Sequence, residues 1–211
     1  MEQKSNKLPD NGGSVAAVQV PAKPGRWKML GLLAICAAPV IASYLAYYVI
    51  KPDGRTNYGT LLDPRAYPMP KLGGQTLDGK PVELDAYKGK WLMVHVDSAA
   101  CAAPCQKKQY DMRQLRTAQG KERDRIERVW LITDQAPLDT VTMREYDGTR
   151  LLRVTPAVLQ QWLPTEPGAT LNDHIYMIDP LGNLMMRWPK DADPNKIKRD
   201  VGKLLRASGI G

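Results

Sequence analysis

Residues 90–105 read KWLMVHVDSAACAAPC, and this stretch decides the fold. The nearly unbroken apolar run at 90–96 predicts a buried strand, since it is short and rich in β-formers. Cys101 and Cys105 come directly after it, and apolar residues then recur at helical spacing as far as Leu115. The stretch therefore predicts a strand, a loop that carries two thiols, and a helix.

The sequence after this stretch contains further strand, helix and turn signals. The expected elements are a strand at 129–132, a helix from Thr155-Pro156 to near Leu163, strands at 175–178 and 184–188 around the turn Asp179-Pro180-Leu181-Gly182, and a helix from Asp193-Pro194 to a C-cap at Gly209. A βαβ unit followed by αββα, with thiols at the start of the first helix, is the order of a thioredoxin-like α/β domain. We expect this domain over residues 71–211.

The N-terminal quarter of the chain predicts a membrane anchor. Residues 29–50 carry no charge, and as a helix they would span about 33 Å, the thickness of a bilayer core. A cleaved signal peptide is the alternative, although the apolar run is longer than such peptides usually have. We expect a disordered cytoplasmic tail at 1–28, and at 51–70 a proline-rich linker without regular structure.

The orientation of this helix is weakly encoded. Each end has three Lys or Arg residues nearby, and only the whole N-terminal tail shifts the count, to five against three. Two thiols so close in sequence suit an oxidising compartment. We therefore expect a single-pass protein of the bacterial inner membrane with a periplasmic C-terminal domain.

Composition excludes several classes of protein. The 211 residues include three Cys and two His, too few for a disulfide-dense scaffold or a multi-histidine metal cage. The net charge of +8 is partly due to the N-terminal tail, and no basic stripe interleaved with aromatics follows it, so nucleic-acid binding is not expected. Phosphate-binding loops, nucleophile elbows and paired catalytic carboxylates have no recognisable signature here.

The chemistry-bearing residues are the two thiols and one imidazole. Cys101 and Cys105 at a helix N-terminus favour the thiolate form, which both binds soft metals and attacks disulfides. Three intervening residues differ from the two that are usual in redox pairs, so we favour metal binding; burial of two apolar cysteines is the third possibility. His174 would join them from the loop before the hairpin, and two thiolates with one imidazole suit a copper ion, with zinc also possible.

Other candidate ligands are interpreted more conservatively. His95 alternates with valines inside an apolar strand, which is more typical of a core histidine than of a metal ligand. Asp173 is expected either to support His174 or to shape its loop. The thioethers of Met177, Met185 and Met186 lie on expected strands and are interpreted as core.

These motifs together resemble the Sco/SenC family of membrane-anchored, thioredoxin-like copper chaperones. The similar segments are 80–84 with 88–91, Cys101-x-x-x-Cys105, the strand and acidic residue at 130–134, and Asp173-His174 with the following hairpin to Gly182. The chain departs from the family at Gln106, where proline is usual, at 97–100, where the lead-in is not aromatic, and at Ile175, where serine is usual. The resemblance implies Cys101, Cys105 and His174 as copper ligands and assembly of the copper site of cytochrome c oxidase as the function.

Two other classes of function stay open. On the chaperone interpretation the protein is not an enzyme, whereas a membrane-tethered thiol-disulfide oxidoreductase would use Cys101 and Cys105 as its redox pair. Such enzymes usually resemble one another in a proline beside the thiols, and here the nearest upstream proline, Pro167, is seven residues from His174. A purely structural membrane partner would need neither cysteine.

Overall fold

The structure is a computed structural model that describes residues 25–50 and 57–210. It divides into an N-terminal unit, Met1–Gly54, and a larger unit, Arg55–Gly211. Residues 1–24 of the tail expected at 1–28 lie outside the described residues, as does the part of the expected linker at 51–56.

The N-terminal unit contains helix α1, Gly25–Leu45, followed by a wider π-helical turn at Ala46–Ile50. The span Gly25–Val49 is long and apolar enough to cross a membrane, and none of it is buried against protein. The helix begins earlier than expected, because Arg26 and Lys28 favour helix although they are charged.

The larger unit is an α/β domain. Its strands are β1 (Thr60–Leu61), β2 (Trp91–Asp97), β3 (Ile126–Ile132), β4 (Thr149–Arg153), β5 (Ile175–Ile178) and β6 (Leu184–Trp188). Its α-helices are α2 (Ala103–Thr117), α3 (Thr140–Glu145), α4 (Pro156–Trp162) and α5 (Pro194–Ala207), and 3₁₀ turns occupy Leu84–Tyr87, Gly120–Arg125 and Leu171–Asp173. The βαβ and αββα segments expected from the sequence are therefore present.

These strands form a mixed six-stranded sheet in the order β1-β6-β5-β2-β3-β4. Strand β2 pairs in parallel with β3, and β3 in parallel with β4, whereas β5 runs antiparallel to β2. The hairpin of β5 and β6 turns at Asp179-Pro180-Leu181-Gly182, where Gly182 adopts φ +95° and donates its N–H to Asp179 O at 3.0 Å. The hairpin predicted from the turn sequence is therefore confirmed.

Strand β2 has two buried faces because helices cover both sides of the sheet. Leu92, Val94 and Val96 pack in the cluster that contains α4. Trp91 and Met93 pack in the opposite cluster, with residues of α2 and α5. Successive side chains of a strand point to opposite faces, so His95 and Asp97 belong to the side that α2 covers.

Part of the expected linker lies in the domain instead. Thr60 and Leu61 form β1, which pairs antiparallel with β6. The Asp200 carboxylate of α5 accepts the backbone N–H groups of Tyr58 at 3.2 Å and Gly59 at 2.8 Å. Prolines in the segment did not prevent pairing, because the two-residue strand lies at the edge of the sheet.

The sequence analysis missed β4 and α3. Strand β4 reads TRLLR, and its arginines hid the strand pattern. Arg153 donates to the carbonyls of Asp134 at 2.6 Å and Ala136 at 2.8 Å, and Arg150 lies 3.3 Å from a Glu127 oxygen. Charged side chains of this kind are typical of edge strands, where they oppose pairing with other chains.

The ends of two helices also differ from expectation. Helix α2 begins at Ala103 and not near Cys101, because Cys101 has a left-handed backbone with φ +37° that no helix can include. Helix α5 ends at Ala207 with Ser208 as its C-cap, one residue before the expected Gly209.

Asp200 should contribute strongly to the stability of the domain. It is 2% exposed and accepts Trp188 Nε1–H at 3.2 Å besides the two backbone N–H groups. We expect Asp200→Ala to lower the free energy of unfolding by about 3 kcal/mol or more, since three donors lose their acceptor. Urea unfolding of the full chain in detergent, followed by near-UV circular dichroism, measures this.

Asp193→Ala is the matched control on the same helix. Asp193 caps α5 by accepting Asn195 N–H at 2.9 Å, and loss of such a cap costs about 1 kcal/mol. An Asp200→Ala variant no less stable than the control would show that Asp200 does not hold the start of the domain.

Candidate metal centre

Cys101 and Cys105 form a disulfide between the loop after β2 and the first turn of α2. Their Cα atoms are 5.0 Å apart, and each residue is 1% exposed. Ala99, Trp130 and Ile132 pack around the two sulfurs. The sulfurs predicted to act together are therefore adjacent, on a loop and a helix rather than on one helical turn.

Carboxylates at the ends of β2 and β3 shape the loop that carries Cys101. Asp97 accepts the Ser98 backbone N–H at 2.7 Å. Both carboxylate oxygens of Asp134 accept the Ala99 backbone N–H, each at 3.2 Å. A turn from Ser98 O to Cys101 N, 3.2 Å, completes the loop. The carboxyl ends of two parallel strands thus fix the position of the first thiol.

His95 lies beside the second thiol. Its ring, the Asp97 carboxylate and Cys105 Sγ present ligand atoms that are all within 4.8 Å of one another. His95 Nε2 is 3.5 Å from Asp97 Oδ2, and Nδ1 is 3.3 Å from the carbonyl oxygen of His174. His95 is fully buried, as expected of a core histidine, but it lies in the part of the core that contains the disulfide.

Asp97 is ionised at neutral pH. Burial raises the pKa of its carboxyl, but contact with His95, the Ser98 N–H and the charge of Lys108 together outweigh burial and leave the pKa below its usual value. A carboxylate, an imidazole and a sulfur therefore meet at one side of the sheet.

His174 points away from this group. Its backbone is extended, with φ −108° and ψ 155°, so its side chain lies opposite Ile175 and on the face of Tyr176. The two rings are 5.8 Å apart between centroids and meet edge to face. Among the described residues, the group of ligand atoms within 4.8 Å of one another contains His95 and not His174.

Both ring nitrogens of His174 already have partners. Nδ1 donates to Trp188 O at 2.9 Å, and Nε2 accepts the Glu166 backbone N–H at 3.3 Å, which together define one neutral tautomer. Burial lowers the pKa of His174, in keeping with a neutral ring. In this structure His174 connects β5 to β6 and to the loop after α4.

Asp173 and the three methionines have structural roles. Asp173 accepts the N–H and hydroxyl of Thr170, both at 2.8 Å, and these bonds with that of Lys190 bring its pKa to about 2 in spite of some burial. It thus shapes the loop, one of the two roles expected for it. Met177 and Met186 are fully buried in the core and Met185 packs against it.

The sequence analysis missed the pairing of His95 with Asp97. Two polar residues two apart in an otherwise apolar strand share one face, and the thiol-bearing helix covers one face of that strand. The two-residue spacing of His95 and Asp97 was the available signal. It predicts a shared face, but the sequence does not tell which face of the strand α2 covers.

A family model described as transmembrane-like, thioredoxin-like, C-terminal domain matches residues 91–208, more than half of the chain. No curated protein matches the chain in sequence. Solved structures with similar folds include yeast Sco1 with copper bound, which is 13% identical with a TM-score of 0.54 over 67% of this chain and 90% of that one. Another structure of yeast Sco1 is 10% identical, with a TM-score of 0.55 over 67% and 96%.

A putative electron transfer protein from Aquifex aeolicus VF5 is 15% identical, with a TM-score of 0.50 over 68% of this chain and 95% of that one. At such identities these likenesses concern the fold, and they confirm the thioredoxin-like architecture expected from the sequence. By its matched domain, the chain belongs to the transmembrane-like, thioredoxin-like, C-terminal domain family.

Proposed function

We propose that this protein is a membrane-anchored copper chaperone whose reduced Cys101 and Cys105 hold one copper ion for transfer to an acceptor. The observation that carries the proposal is the adjacency of the two sulfurs at the start of α2, beside an imidazole and a carboxylate. Soft thiolates prefer Cu(I), and nitrogen donors extend the site to Cu(II). The likeness of the fold to copper-bound yeast Sco1 supports the same assignment.

Copper binding requires the disulfide to be opened first. An external dithiol gives two electrons and two protons to the Cys101–Cys105 bond and becomes a disulfide itself. The two released thiols then lose their protons as the metal binds. Because one sulfur is on a loop and the other on a helix, the distance between them can adjust to a metal ion.

His174 is the third copper ligand that the sequence predicts. In the present structure Nδ1 bonds to Trp188 O and Nε2 to the Glu166 N–H, so the ring must break at least one of these bonds to bind a metal. Asp173 beside it is fixed by Thr170 and Lys190. Binding through His174 therefore needs a rearrangement of the loop between α4 and β5.

The place and partner of the protein belong to the same proposal. Helix α1 would anchor the chain in the bacterial inner membrane, with the thiol domain on the periplasmic side, where a disulfide can persist. The acceptor that the Sco/SenC resemblance implies is the copper-site subunit of cytochrome c oxidase. An acceptor with thiolate or imidazole ligands could take the metal by ligand exchange.

A thiol-disulfide oxidoreductase is the second candidate, and the closed disulfide favours it. In that function the dithiol gives two electrons and two protons to a substrate disulfide and returns to the disulfide form. Burial argues against rapid exchange, since attack requires access to a sulfur and both cysteines are 1% exposed.

The reduced full chain in detergent should bind one Cu(I) tightly under anaerobic conditions. We expect Cys101→Ser and Cys105→Ser each to weaken this binding by more than about 100-fold, since loss of an outer partner alone costs 10–100-fold. Competition with a chromophoric Cu(I) chelator measures the affinity. Cys36→Ser is the matched control, because Cys36 lies in α1, and it should leave the affinity unchanged.

Wild-type protein with no tight Cu(I), or cysteine variants that bind as wild type does, would refute the chaperone function. Metal analysis after dialysis gives the stoichiometry independently of the competitor.

The same preparations distinguish the oxidoreductase. We expect the protein to reduce a protein disulfide such as that of insulin no more than about tenfold faster than free dithiothreitol does, because the sulfurs are buried. Insulin precipitation with dithiothreitol as the electron source measures the rate. Many turnovers per minute that disappear in Cys101→Ser, together with absent copper binding, would make the oxidoreductase the function.

Orientation has a direct test in spheroplasts. We expect added protease to digest the domain after α1 in intact spheroplasts, because it lies on the periplasmic side on this proposal. Immunoblotting for a C-terminal epitope measures the loss, with a cytoplasmic protein as the control for lysis. A domain cut only after lysis would place it in the cytoplasm.

A further inference from the structure

The hydrogen bonds of His95 indicate which ring nitrogen carries a proton. Its Nδ1 faces the carbonyl oxygen of His174 at 3.3 Å, and a carbonyl can only accept. Nδ1 therefore carries a proton, and Nε2 is the ring nitrogen that would bind a metal ion. His174 also carries its proton on Nδ1, but there the Glu166 N–H occupies the lone pair of Nε2.

Nε2 of His95 is buried and has no hydrogen-bond partner within the described part of the chain. Nε2 lies 3.5 Å from an Asp97 oxygen, and the His95 ring has a nitrogen within 4.8 Å of Cys105 Sγ. An imidazole nitrogen, a carboxylate and a sulfur thus converge, and all three offer electron pairs. Such a group of donor atoms favours the binding of a metal cation.

Other polar atoms on this face of the sheet support the assignment. Trp130 is the partner of His95 in the β2–β3 register, and its Nε1–H is buried with no acceptor among the residues described. Gln109 follows Cys105 by one turn of α2 and is fully buried, and neither atom of its amide has a partner there. Buried polar groups normally have partners, so these two side chains on the α2 side of the sheet agree with a site there.

We propose that His95, and not His174, is the imidazole ligand of the metal that Cys101 and Cys105 bind, with the Asp97 carboxylate beside it as a balancing charge. This inference rests on the proposed copper function and names a ligand for it. Metal binding at His95 needs no hydrogen bond to break, because Nδ1 keeps its bond to the His174 carbonyl and Nε2 makes none. A bond from the second ring nitrogen to a carbonyl is how metal-binding histidines are usually oriented.

Asp97 acts through charge on this proposal. Cys101, Cys105 and His95 would hold the ion, and the Asp97 carboxylate near them would increase the attraction for a cation. It also holds the Ser98 N–H at 2.7 Å and so positions the loop of Cys101.

The chain has two histidines, which makes the test residue-specific. The full chain, without a polyhistidine tag, is labelled with ¹⁵N-histidine, reduced, and loaded anaerobically with Cu(I), which is diamagnetic. We expect the Nε2 resonance of His95 to shift on loading while both resonances of His174 stay in place. His174→Gln assigns the signals, because it leaves His95 as the sole histidine and Gln can donate to Trp188 O and accept from the Glu166 N–H.

Cu(I) affinity gives a second readout from the same proteins. We expect His95→Gln to weaken binding at least about tenfold, as loss of a ligand should exceed the smallest cost of an outer partner. His174→Gln removes the competing candidate ligand, and on this inference its affinity stays within about twofold of wild type. Should either variant fail to fold, the wild-type spectrum and the other variant still decide, since each isolates one histidine.

Three results would overturn the inference. A shift confined to His174 would make that residue the ligand. Nε2 of His95 protonated in the reduced apo chain and unmoved by Cu(I) would show an imidazolium paired with Asp97. Wild-type protein that binds Cu(I) no better than the Cys101→Ser/Cys105→Ser double variant would refute the copper function, and with it the assignment of His95 as a ligand.

Discussion

The two-residue pleat of β2, buried on both faces, is the constraint on which the site depends. It sends Leu92, Val94 and Val96 to the α4 side and directs His95 and Asp97 towards α2. Because α2 starts beside the end of this strand, its first-turn thiol meets the polar pair. A shift of register by one residue would exchange the faces and leave Cys105 against valines.

The sequence was sufficient for the fold because its main signals are local. The apolar run of β2, the proline and glycine of the hairpin turn, and the amphipathic α5 each specify their element without reference to the rest. Strand β4 was missed because the partners of Arg153 are carbonyls in another loop, and β1 because its partner Asp200 is far away in sequence. Elements held by distant partners carry little local signal.

The same difference applies to the site. The spacing of Cys101 and Cys105 is a local pattern, and the sulfurs are indeed adjacent. The choice between two histidines depends on which sheet face each side chain occupies, and that follows from packing. The loop before the hairpin and the resemblance to a family motif both favour His174, whereas its ring bonds to Trp188 and Glu166 on the side of Tyr176.

The left-handed backbone of Cys101 makes the two sulfurs unequal. Few residues other than glycine hold φ +37°, and here the covalent link to Cys105 secures it. Once that link opens, Cys105 remains part of a helix whose next turns are buried, whereas Cys101 is left with a backbone conformation that L residues rarely adopt. The two sulfurs therefore start from unequal backbones when the site exchanges its disulfide for a metal ion.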